Sequence, residues 1–159
     1  MNIVVIILTH TNRTVEHRLF TMPNKKSCKI QMSEQADPFT MYEGRVARFQ
    51  LPEAPSALFF KTQFTDALEY LIKSGKPFSL IIDSSRVNTI SPEITNNMIR
   101  WLKQNRENLG QSLTSSSVIV TNGLVRGVLD VVFKLYKPVA PIEIVKDESD
   151  AWNFIAKHE

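Results

Sequence analysis

The residues of this chain with the chemistry to act gather where an apolar run stops. Residues 78–95 read FSLIIDSSRVNTISPEIT. Asp83 supplies a carboxylate, and Ser84, Ser85 and Ser91 supply hydroxyls that could carry a phosphate or meet a partner. A second set lies in TNGLVR, residues 121–126, where Asn122 and Arg126 flank the expected start of a helix. Backbone N–H groups at a helix amino terminus, with an arginine nearby, suit an anion. Local readings stand beside these. Asp83 followed by two serines suits an Asx-type turn that satisfies loop backbone. Ser91, Pro92 and Glu93 suit a cap, a first-turn proline and an acid at the positive end of a helix. Asn122 suits a cap in the same way.

Catalytic constellations are missing from the pattern. Histidines stand only at 10, 17 and 158, and Cys28 is the single cysteine. None of these has metal-ligand spacing, and no Ser-His-Asp or Cys-His arrangement can be assembled. The five glycines are scattered singly, so no phosphate-cradling loop is present. No enzyme activity, metal or cofactor is therefore expected. A lone cysteine rules out an intrachain disulfide and points to a reducing, cytoplasmic setting.

Charge argues against nucleic acid. The net charge is +3, and residues 1–39 carry five basic and three acidic side chains of it. The rest of the chain is close to neutral, whereas nucleic-acid binders concentrate a basic face. Residues 3–8 form an apolar run of six, too short for a signal peptide core or a membrane span. That run is either a short buried strand or a leader outside the fold, and Met22 is an alternative start. Residues 1–26 are accordingly an extension or extra strand, and 27–159 the domain proper.

These side chains must be positioned by an alternation of strands and helices. Residues 28–32 and 45–51 read as short strands that could pair, with the loop-like SEQADPFTMYEG between them. Ser56 opens a helix on which Phe60, Phe64, Ala67, Leu68 and Leu71 form one stripe, ending near Gly75. Residues 78–82 are apolar except for Ser79, as in a parallel strand covered on both faces. From Ser91 a helix places Ile94, Met98, Trp101 and Leu102 on one face, with Arg100, Lys103 and Glu107 opposite. NLGQSLTSSS reads as a polar loop, where modification of residues 112–117 is conceivable, and residues 118–120 as the next strand. A helix from Thr121 or Asn122 turns Leu124, Val128, Val132 and Leu135 inward. Residues 142–145 form the last strand. Asp147 caps the last helix, with Asp150 in the capping-box position and Ala151, Trp152 and Ile155 inward. Spacing places Trp101 and Trp152 in the core. The order β-β-α-β-α-β-α-β-α predicts an α/β fold of about five strands and four helices, with a mixed, largely parallel sheet.

This pattern resembles the STAS domain, the fold of bacterial anti-sigma-factor antagonists and of sulfate-transporter tails. It is most similar to the stand-alone bacterial branch described as STAS-like or CRAL-TRIO-like. The resemblance covers about residues 27–158. It is carried by GKPFSLIID and by VTNGLVRGVLDVVFKLYKPVAPIEIVKDESDAWNFI. It implies a regulatory interaction module that docks a protein partner, or a second copy as a homodimer, through its strand-end loops. The expected contacts are Asp83, Ser84, Ser85, Ser91, Asn122 and Arg126. In regulatory members an Asp-Ser-Ser-Gly run opens the helix after the third strand, and its first serine is phosphorylated. Aligned from Asp83 at the strand end, Ser91 falls on the motif aspartate and Pro92 on the phosphoacceptor. The family's phosphoserine switch is therefore expected to be lost. The alternative function is a carrier of a small apolar ligand or lipid, suggested by Phe59, Phe60, Phe64 and Tyr70 on the first helix.

Overall fold

The computed structural model describes residues 38–158. They form an α/β fold around a mixed five-stranded sheet in the order β1-β2-β3-β4-β5. β1 (Phe39–Tyr42) runs antiparallel to β2 (Val46–Gln50). β2, β3 (Phe78–Asp83), β4 (Leu113–Ile119) and β5 (Ile142–Val145) are mutually parallel. The helices are α1 (Ala57–Phe59) and α2 (Asp66–Lys73), joined by a π-helical segment (Phe60–Thr65), then α3 (Pro92–Gln104), α4 (Arg106–Ser112), α5 (Gly123–Leu135) and α6 (Glu148–Ala156). None of the described helices is long and apolar enough to cross a membrane.

A sheet whose parallel strands follow one another in sequence order sends each right-handed crossover to the same face. The cores follow that rule. Ala47, Phe49 and Leu80 pack with Phe60, Phe64, Leu68, Leu71 and Ile94 of the crossover helices. Val118 and Ile144 extend the same face toward Val125 and Leu129 of α5. The opposite strand positions, Val46, Ile81, Ile119 and Val145, gather around Ala151 and Ile155 of α6. The last helix has no further strand to reach, so it folds back over the second face.

Local signals set most helix ends. Ser56, Ser91, Asn122 and Asp147 each accept a backbone N–H three residues on, as caps do. Gly75, at φ +67°, ends α2 in the left-handed conformation that glycine tolerates.

Four expectations are corrected. The span SEQADPFTMYEG holds β1, which pairs Phe39 with Phe49 and Tyr42 with Val46. Its alternation of Phe39 and Met41 toward the core is genuine, but four residues beside Pro38 make a weak signal. The expected partner strand at 28–32 lies outside the described residues, as do the apolar run at 3–8 and Met22. NLGQSLTSSS is the end of α4 and most of β4, and Ser115, Ser116 and Ser117 are buried. Serine is a poor strand former, but neighbours on both sides satisfy this backbone. Ser79 and Ser115 share a hydrogen bond of 3.0 Å, Ser79 and Thr114 one of 2.7 Å. Burial leaves residues 112 and 115–117 closed to modification. On α5 the inward residues are Val125 and Val132, while Leu124 and Leu135 face outward. Trp101 and Trp152 are half-buried rather than core. Their indole N–H groups reach Glu69 and Glu148 at 3.3 Å each.

Candidate functional site

The carboxyl ends of β2, β3 and β4 lie side by side because the strands are parallel and adjacent. Loops leaving that edge of an open α/β sheet are where such folds make contacts. Here the loops are bonded to one another. Leu51 N–H donates to the Asp83 carbonyl at 2.9 Å, and Asn88 N–H to the Glu53 carbonyl at 2.8 Å. Thr121 Oγ1 donates to the Ser85 carbonyl at 3.1 Å, and Asn122 Nδ2 to the Val87 carbonyl at 2.7 Å. Asn122 serves twice, since its Oδ1 also caps α5 through Val125 N–H at 3.0 Å.

Asp83 does more than turn the chain. Oδ1 accepts the Ser85 N–H at 3.0 Å, which is the expected Asx geometry. Oδ2 accepts Arg48 Nη2 at 2.7 Å and Gln50 Nε2 at 3.5 Å. The Arg48 and Asp83 side chains are 17% and 8% exposed, so this ion pair is largely withdrawn from water. Arg48 Nε also lies 3.5 Å from Glu148 Oε1 in the first turn of α6. One guanidinium thus joins β2, β3 and α6. Trp152, bonded to Glu148, meets Tyr42 edge-on with ring centroids 5.0 Å apart. Arg48, Gln50 and Glu148 were missed in the sequence. The available signal was a charge at position 48, between the apolar residues Ala47 and Phe49 of a short strand.

Ser84 is only 1% exposed, and both its N–H and its hydroxyl donate to the Ile119 carbonyl. It is therefore a fastener between β3 and β4, and no partner can reach it. Ser85, Arg86 and Thr121 are exposed on the joined loops, together with Glu53, Asn88 and Thr89. Ser91 Oγ accepts the Ile94 N–H at 3.3 Å, with Pro92 the first residue of α3. Arg126 is exposed one turn into α5. The side chains of Ser91 and Arg126 join none of the bonds that knit Asp83, Ser84, Ser85 and Asn122.

The arrangement gathers an ion pair, hydroxyls and a capping amide at one edge of the sheet. Among the described residues no three His, Cys, Asp or Glu side chains converge as metal ligands would. His158 is the one described histidine, and its ring lies against Phe154 at the end of α6. His10, His17 and Cys28 lie outside the described residues. Two hollows sit away from the edge. An open groove of about 460 Å³ runs between the π segment and α3, lined by Phe60, Lys61, Asn97, Arg100 and Trp101. An apolar cavity of about 100 Å³ lies under α3 and α5, beside Met98, Leu102, Val132 and Phe133. Tyr136 borders that cavity, and burial pushes its phenol above the ordinary value of 10, against a smaller opposing pull from Arg106.

Compared with known proteins, the sequence matches no family model and no curated protein.

Proposed function

We propose that this chain is a STAS-like regulatory interaction module that docks a protein partner without catalysis and without the family's phosphoserine switch. The carrying observation is the bonded edge, in which the loops after β2, β3 and β4 hold one another and present Ser85, Arg86 and Thr121. A surface fixed before binding loses little conformational freedom on docking. The alternation of strands and helices supports the STAS resemblance. Burial of Ser84 and the proline at 92 support loss of the switch.

The carrier alternative has less behind it. Ligand pockets commonly hold about 300–1,000 Å³; the apolar cavity is about 100 Å³, and the groove of about 460 Å³ beside Phe60 is open and shares its lining with Lys61, Asn97 and Arg100. A lipid does not fit the smaller cavity without rearrangement of α3 or α5.

The test compares affinity purification of the full chain and a Ser85→Arg/Thr121→Arg variant from the native host, with native and intact mass spectrometry of each. The expected result is an unmodified mass and a protein partner that the variant loses. An identical set of partners with both chains would remove the docking edge. A co-purified apolar molecule of lipid size would favour the carrier, and phosphate on Ser85 or Ser91 would restore a switch.

A further inference from the structure

α5 has an outer face that the rest of the described residues leave unused. Leu124, Val128, Val131 and Leu135 follow at spacings of 4, 3 and 4, which makes one ridge along a helix. Leu124, Val131 and Leu135 are 51%, 46% and 54% exposed. They are half of the six large hydrophobic side chains exposed among the described residues, which marks this helix out. Along the other edge of the same exposed surface run Arg126, Asp130 and Lys134, each one turn from the next.

Between the two ridges lie Gly123 and Gly127. Glycine inside a helix costs about 1 kcal/mol relative to alanine, so Gly127 calls for a reason. The described residues supply none. Gly127 is not among the residues with positive φ, and a Cβ built on it meets no described atom within 4 Å. A furrow that nothing among the described residues requires is what the close approach of a second backbone needs.

We propose that this face binds a second copy of the chain, the two α5 helices crossing antiparallel about a two-fold axis near Gly127 and Val128. The two ridges select both the occupant and the direction. In an antiparallel pair related by a two-fold axis, each edge of one helix meets the same edge of the other. The apolar ridge then lies on the apolar ridge. The charged ridge meets its own reversal, which sets each Arg126 opposite the second copy's Asp130. Parallel pairing would lay the charged edge on the apolar one. A contact that satisfies itself in this way is isologous, as in most symmetric dimers. It adjoins the docking edge at the start of α5, where the same axis sets the second copy's Leu135 level with Thr121.

The test is sedimentation equilibrium of the full chain across a concentration series, with three variants. The native chain should be a dimer that dissociates on dilution. Gly127→Leu should weaken association at least about tenfold by filling the furrow. Its urea midpoint, measured where the native chain is monomeric, should hold or rise, because leucine is the better helix former. Asp130→Arg should weaken association by a similar factor, and Arg126→Asp/Asp130→Arg should restore it. A native chain that stays monomeric up to about 500 µM, a sub-millimolar ceiling for a specific contact, would overturn the proposal. So would association that neither Gly127→Leu nor Asp130→Arg alters, or failure of the reversed pair to restore it. Loss of the host partner on the Ser85→Arg/Thr121→Arg variant is read separately, so either reading can fail alone.

Discussion

Removal of the Asp83 carboxylate should destabilise the fold more than any other single change at the loop edge. Asp83→Ala takes the charged partner from Arg48 and the acceptor from the Ser85 N–H. Deleting one partner of a fully buried pair costs about 3–5 kcal/mol, chiefly because the other charge stays buried. Arg48 keeps some exposure, at 17%, and Glu148 remains 3.5 Å from its Nε. Those two features lower the expected loss to about 2–3 kcal/mol. Asp83→Asn keeps an oxygen for the Ser85 N–H and a neutral acceptor for Arg48, so about 1–2 kcal/mol is expected. Replacing both partners, in Arg48→Met/Asp83→Leu, removes the stranded charge and should leave stability within about 1 kcal/mol of the native chain. Urea unfolding followed by far-ultraviolet circular dichroism gives all three differences, provided the slopes agree. The reasoning fails if Asp83→Ala costs no more than Asp83→Asn, or if the double change costs as much as Asp83→Ala.

Two further outcomes follow from buried polar groups. Ser117 Oγ is buried and makes no hydrogen bond among the described residues, whereas Ser79 Oγ serves both Thr114 and Ser115. Ser117→Ala should therefore stabilise by about 1 kcal/mol and Ser79→Ala destabilise by about 1–2 kcal/mol. Thermal unfolding of the two variants checks this, and equal losses would contradict it. Tyr136 has a folded-state pKa above its unfolded value, so both states keep the proton below about pH 10 and stability there is unaffected. Above that pH the unfolded chain ionises first and stability falls. Tyr136→Phe should flatten the decline above about pH 10 in urea titrations. An unchanged decline would mean that other groups cause it.

Much of the candidate site was legible because its signals are local. Ser91, Asn122 and Asp147 announce helix starts by a side-chain oxygen that reaches three residues along the chain. Asp83 announces a turn by reaching two residues. Arg48 and Glu148 gave no such sign, since they lie 100 residues apart and meet only once α6 folds over the sheet. Ser84 looked available because a serine after a strand usually is. Its burial depends on the Ile119 carbonyl of the neighbouring strand.

The sequence by itself determined the succession of strands and helices, because periodicity of apolar residues is read over a few neighbours. It also determined the helix caps at Ser91, Asn122 and Asp147. Tertiary structure decided what depends on which strand lies beside which. Ser115, Ser116 and Ser117 became a buried strand because β3 and β5 take up their backbone groups, a condition no local window contains. The inward side of α5 kept Val132 but took Val125 in place of Leu124 and Leu135. Both sets have helical spacing, and only the position of the sheet chooses between them.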